Sequence, residues 1–325
     1  MKNFILFIGV LTSLGLLSNL DLFNDKILYS SDSEDYLETS ERILFVSRIA
    51  GQEELCSVKP DGSSLKQLTK KESRSEYQPH FSKDNRYITF NTYRYGGWKL
   101  AKATSDLRSV NKLIKNSVGY EYDASWSNNG NYIAYIGFDA GRSGKRQVFI
   151  TDTKGINPKN ITKNYKQFSH YAPVFSKDDK MIYCYAVSEN GSYDLFSMNI
   201  DGSNRKNISN TATSFEFAPS ISPDNSKLAY LNFNEVHNNI DVLVLDLKTN
   251  KIVNLTAKAN LKSPLCNWES PFFAYAVDWS PDGKTLVFNS DADGDLDIYT
   301  IKSDGTVLKK ITNNDWDDAQ PNWSN

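Results

Sequence analysis

Residues 278–312 read DWSPDGKTLVFNSDADGDLDIYTIKSDGTVLKKIT, and this one stretch holds the plan of the whole chain. SPDGK (280–284) is a tight hairpin turn, because Asp-Gly tolerates the positive φ that both central residues of such a turn need. TLVFNS (285–290) is a strand, DIYTIK (297–302) is another, SDGT is a second turn, and a short last strand ends in IT. Working outward, the segment that ends in Ser before the turn recurs as EYQPHFS (76–82), EYDASWS (121–127), HYAPVFS (170–176), EFAPSIS (216–222), AYAVDWS (274–280) and DAQPNWS (318–324). The spacings are 45, 49, 46, 58 and 44 residues. Five copies continue through a polar turn into an alternating apolar strand (YITFNT, YIAYIG, MIYCYA, KLAYLN, TLVFNS), then a third strand and a fourth ending in LT, IT or IS.

Each unit is therefore a four-stranded antiparallel meander. One such sheet cannot bury both its faces alone, and stacking copies around an axis solves this, which predicts an all-β, six-bladed β-propeller. At the start, RILFVS (42–47), ELCSVK (54–59) and LKQLT (65–69) supply the second, third and fourth strands of a blade without a first. At the end, DAQPNWS is a first strand with nothing after it. The C-terminal strand is expected to pair into blade one and close the ring.

The motif xPxFSKD, an apolar strand, DIY, DG and LT resembles the WD40-like (PD40) repeat of the TolB family of bacterial envelope propellers, best in 278–312, over residues 42–325. The resemblance implies a bacterial cell-envelope location. It carries less about activity, because related repeats also build propellers in serine peptidases and polysaccharide lyases. TolB proteins carry an α/β domain before the propeller, whereas 41 residues precede blade one here, so contacts made by that domain do not transfer.

Those first residues divide in two. Lys2 and the apolar run 4–17 read as a secretory signal or N-terminal anchor (1–20), since a run of 14 residues falls short of the about 20 needed to span a bilayer. Residues 21–41 hold seven acids and one base and read as an acidic linker. The rest, with 35 basic and 32 acidic residues, has no electrostatic footprint for nucleic acid, and no membrane insertion is expected after signal removal.

In a meander blade the A–B and C–D turns lie on one rim and the B–C and D–A loops on the other. The second rim holds nearly all the length variation, which is where binding residues gather on a rigid scaffold. Its D–A loops are expected to bring Glu76, Glu121, His170, Glu216, Ala274 and Asp318 to the channel mouth, backed by Tyr77, Tyr122, Tyr171, Phe217 and Tyr275. Such a ring suits a cationic peptide, a metal or a sugar. The alternative is that the aromatics fill the wedges between blades while each acid bonds a nearby backbone N–H. The longest insertion, 257–273, carries Leu261, Leu265, Trp268, Phe272 and Phe273 and is either a partner lid or a local plug.

DADGDLD (291–297) resembles a calcium loop but has Lys302 where a bidentate Glu belongs. His80, His170 and His237 lie in blades two, four and five without ligand spacing, so no metal and no cofactor is expected. Cys56 and Cys184 sit on opposite sides of a six-membered ring, beyond the about 7 Å that a disulfide spans. No GxSxG elbow, Gly-rich phosphate loop or attached hydrolase domain appears.

The expectation is a non-enzymatic, monomeric, periplasmic or secreted propeller that binds an envelope protein or peptide segment. Glu76, Glu121, Glu216 and Asp318 would pair with basic groups, with the aromatics and Trp268 giving contact area. The second reading is a carbohydrate-binding or carbohydrate-cleaving propeller.

Overall fold

The computed structural model describes residues 41–70, 75–117, 119–138, 144–209, 211, 214–234, 239–259, 261 and 274–325. The signal segment, the acidic linker except Glu41, and the stretch 262–273 with Cys266 and Trp268 lie outside these residues, as does His237. Among the described residues, strands assemble into six four-stranded antiparallel sheets.

Blade one is β1 (Ile43–Ile49), β2 (Gln52–Val58) and β3 (Lys66–Gln67), completed by β24 (Asp318–Trp323). Blade two is β4 (Glu76–Phe81), β5 (Tyr87–Thr92), β6 (Lys99–Thr104) and β7 (Val110–Lys112). Blade three is β8 (Tyr120–Trp126), β9 (Tyr132–Phe138), β10 (Gln147–Asp152) and β11 (Lys159–Asn160). Blade four is β12 (Ser169–Phe175), β13 (Met181–Val187), β14 (Tyr193–Asn199) and β15 (Lys206–Asn207). Blade five is β16 (Ser214–Ile221), β17 (Lys227–Asn234), β18 (Asn239–Asp246) and β19 (Ile252–Asn254). Blade six is β20 (Val277–Trp279), β21 (Thr285–Ser290), β22 (Asp297–Lys302) and β23 (Lys309–Lys310). The ring closes as the repeat count predicts, with Ile43 opposite Trp323 and Ser47 opposite Asp318.

The core lies between the faces of neighbouring blades. Ala134, Ile136 and Val148 of blade three, for example, pack with Phe175, Ile182, Cys184 and Phe196 of blade four. Cys56 and Cys184 are free and buried.

Two recurring devices hold the blades. A hydroxyl two residues past the fourth strand accepts the amide of a third-strand residue and donates to the side chain of the residue before it: Thr69 takes Leu55 N–H at 2.8 Å and gives to Glu54 at 2.6 Å. Thr162 does this for Val148 and Gln147, Thr256 for Val242 and Asp241, and Thr312 for Ile298 and Asp297. The LT and IT endings of the repeat are thus caps on the neighbouring strand.

The second device is a glycine in the C–D turn set against the end of the preceding blade. Gly202 (φ +87°) lies so close to blade three that an added Cβ would stand 1.8 Å from Ile161 O. Gly202→Ala is expected to cost roughly 3 kcal/mol or more, from unfavourable φ plus a backbone clash. Gly130→Ala, also at positive φ (+70°) but with nothing within 4 Å of the new Cβ, should cost about 1 kcal/mol. Urea unfolding of both variants measures the difference, and equal losses would remove the packing role.

Candidate functional site

In five of the six blades the innermost strand carries a β-bulge, just after its aromatic position in blades two to five and opposite Leu44–Val46 in β24. Register shifts fall between Tyr77 and His80, Tyr122 and Ser125, Tyr171 and Val174, and Phe217 and Ser220. The bulged residue is left-handed in five blades: Gln78, Asp123, Ala172, Ala218 and Gln320, with φ between 46° and 59°. A non-glycine residue there is strained, and its repetition marks a device of the fold.

The bulges stitch one half of the ring together around the axis. Gln320 Oε1 accepts Gln78 N–H at 2.7 Å, Gln78 Oε1 accepts Asp123 N–H at 3.2 Å, and Asp123 Oδ2 accepts Ala172 N–H at 2.5 Å. Ala172, Ala218 and Ala276 at the remaining positions bear no side-chain acceptor. Burial pushes the Asp123 carboxyl up to about 6. Further along the axis, toward the A–B turns, a cavity of about 110 Å³ is lined by His80, Ser125, Val174, Ser220, Asp278 and Asn322, one from each blade. Asp278 ties it together, accepting Ser220 Oγ–H at 2.7 Å, Asn322 Nδ2–H at 2.7 Å and Trp323 N–H at 2.9 Å.

The charged residues that lead the first strands do not present free carboxylates to solvent. Glu76, Glu121, His170, Glu216 and Asp318 are all buried. Glu76 meets Arg94 Nε at 2.9 Å. Glu121 lies 3.5 Å from Lys99 Nζ and accepts Leu100 N–H at 3.3 Å. Glu216 accepts from Thr211, Ser214 and Asn232. Asp318 accepts from Asn314 Nδ2 at 2.8 Å, and its burial pushes the carboxyl up to about 6. Burial, with help from nearby Arg205, pushes the His170 imidazole down to about 3 and keeps it neutral. The backbone amides of Glu121, His170 and Asp318 each bond a carbonyl of the preceding blade (Trp98, Arg146 and Leu296), which fixes the entry of the D–A loop.

The aromatics divide. Phe217 and Tyr275 are buried in the core, while Tyr77, Tyr122 and Tyr171 remain half-buried. These three belong to a wider ledge of rings on the B–C and D–A rim of blades two to five. Tyr77 and Tyr93 each lie 4.9 Å from Trp98, and Tyr120 and Tyr122 lie 5.1 and 6.2 Å from Phe138. Arg146 sits between Phe138 (5.6 Å) and Tyr171 (5.2 Å), and Tyr193 meets Phe215 at 4.9 Å. Of the long insertion, Leu261 is described and packs against the core.

In the 291–297 loop, Asp293, Asp295 and Asp297 bring carboxylate oxygens within 4.8 Å of one another. A cation is already supplied there by the chain: Lys310 Nζ lies 2.5 Å from Asp293 and 2.6 Å from Asp297.

The pairing of Lys99 with Glu121 was not anticipated from the sequence. Its signal was present in the repeat, because blade two alone puts Lys99 where the others have Glu54, Gln147, Asp194, Asp241 and Asp297, and Ile114 where they have Thr or Ser.

A family model described as the TolB beta propeller domain (PD40) matches residues 35–218 and 187–325. A protein TolB homolog of Chlorobaculum tepidum is 24% identical over 128 residues, 39% of this chain and 26% of that protein. The match thus spans about a quarter of that curated relative. TolB from Acinetobacter baumannii superposes with a TM-score of 0.69 at 16% identity, over 87% of this chain and 66% of that one. An oligogalacturonate lyase solved in complex with manganese superposes with a TM-score of 0.56 at 16% identity, over 84% and 74%. Among the described residues, no helix is long and apolar enough to cross a membrane.

Proposed function

Because this chain belongs to the family of the TolB beta propeller domain, we propose that it is a non-enzymatic protein-binding scaffold of the bacterial cell envelope, exported to the periplasm. The observation that carries this reading is the ledge of half-buried rings on one rim, around Tyr77, Tyr122 and Tyr171. Amphipathic rings held by a rigid sheet give large contact area at small entropic cost, the usual make-up of binding hot spots. The buried acids serve this surface indirectly, by holding the D–A loops from which the rings project.

The test is an affinity capture from detergent-solubilised envelope with residues 42–325 as bait. Beside it run a Tyr77→Ala, Tyr122→Ala, Tyr171→Ala variant and a control with Lys83→Glu and Lys180→Glu on the opposite rim. At about 2 kcal/mol for a hot-spot ring, the triple variant should lose a discrete partner that parent and control both retain. Equal capture by the triple variant would place the site elsewhere. Products from a panel of uronic-acid oligosaccharides, with no protein captured, would favour the carbohydrate reading.

A further inference from the structure

Blades three and four follow one plan, yet the outer face of the third strand is treated differently in each. In blade four, Phe196 is covered by the chain itself. Phe168 from the preceding loop meets it at 5.5 Å, and the Arg205 guanidinium lies 3.5 Å over its ring and 4.1 Å from Phe168. Tyr165 completes the cover, its hydroxyl donating to Gly202 O at 3.1 Å.

The counterpart of Phe196 in blade three is Phe149, and the places of Phe168 and Arg205 are taken by Gly119 and Pro158. The uncovered space is a groove of about 900 Å³ between blades two and three. Its floor is aromatic: Phe149 lies flat over Gly137, where an added Cβ would come within 3.0 Å of the ring, and stacks on Tyr135 at 5.4 Å with 21° between planes. Its rim is basic, with Lys102, Lys112, Lys115 and Lys154. Glu121 is the one carboxylate among the described lining residues, and it is buried against Lys99.

We propose that this groove docks an acidic segment of a partner protein that carries an aromatic residue. The partner's ring takes over Phe149 the place that Phe168 takes over Phe196, and its carboxylates meet Lys112, Lys115 and Lys154. The four lysines exclude a copy of the Arg205 plug and select its charge opposite. This site adjoins the ring ledge of the mouth, sharing Tyr120 and Phe138 with it, but it is defined by Phe149 and the lysines, which the ledge lacks, so the two are tested by different variants.

The probe is an acetylated, amidated peptide DEFDE with a fluorinated ring, titrated against residues 42–325 and followed by ¹⁹F NMR, beside DEADE bearing a fluorinated end group and KKFKK. DEFDE should bind saturably, more weakly as salt rises, and about tenfold more tightly than DEADE, while KKFKK should not bind. Lys115→Glu with Lys154→Glu, both exposed and so harmless to folding, should weaken DEFDE about tenfold, whereas Lys163→Glu with Lys206→Glu at the next seam should leave it unchanged. No saturable DEFDE binding, or binding indifferent to the Lys115 and Lys154 changes, overturns the proposal. Lysine-dependent binding of an oligogalacturonate without DEFDE binding would replace the peptide by an acidic glycan.

Discussion

A chain ending at residue 317 is expected to lose its cooperative unfolding transition. Strand β24 is the inner strand of blade one, and its side chains also reach blades two and six. Trp323 packs among Ile43, Phe45 and Val58 of blade one and Val287, Ile298 and Ile311 of blade six. Asn322 Oδ1 accepts Phe81 N–H at 2.9 Å, Gln320 accepts Gln78 N–H, and Asn325 N–H donates to Asn85 Oδ1 at 2.9 Å. Removing a core Trp alone costs about 3–5 kcal/mol, against a total stability of about 5–15 kcal/mol. Loss of the whole strand should therefore leave a minor folded population with an open sheet edge, read as a broad melt and dye binding to exposed apolar surface. A synthetic peptide of residues 318–325 in excess should restore part of the transition by mass action. A truncated chain that melts sharply within a few degrees of the parent would show that the ring holds without its closure.

The second large effect is expected at Lys99. Its ammonium lies 3.5 Å from the Glu121 carboxylate, with the two side chains only 6% and 3% exposed. It also donates to Ser117 O at 3.2 Å and to Gly119 O. Lys99→Met leaves a buried carboxylate without its cation, which typically costs about 3–5 kcal/mol. Lys99→Met combined with Glu121→Gln should recover most of that loss, because the amide oxygen still accepts Leu100 N–H. Chemical denaturation of both variants decides the matter. A single variant within 1 kcal/mol of the parent would mean that water, not Lys99, neutralises Glu121.

Much of the ring was readable because its signals are local and repeated. Asp-Gly and Asn-Gly turns, period-2 strands and one Ser-ended segment in six copies determine blade number and strand order together. Blade six departs slightly: its inner strand shrinks to Val277–Trp279, with Ala276 N–H bonded to the Asn289 side chain instead of a ladder partner. The direction of the leading acids was not readable. A plain count of alternation puts Glu76, Gln78 and His80 on one face. The bulge makes Glu76 and His80 pair with Thr92 and Thr89, an odd number of steps apart, so they fall on opposite faces. His80 then lines the narrow channel while Glu76 turns to Arg94. The bulge depends on backbone conformation at Gln78, a residue type with no strong bias to left-handed φ, so one-dimensional periodicity carries no mark of it.

The pairing of β1 with β24 sets an order on events in the life of the chain. Val46 and Ala319 are neighbours in the sheet but stand 273 residues apart in the chain. A ribosome delivers Val46 long before Ala319, and a pore crossed from the N-terminus would do the same. Until β24 arrives, blade one keeps a vacant inner edge and the finished ring cannot exist. The pairing therefore orders assembly: blade one can be completed only after the strands of the other five blades have emerged.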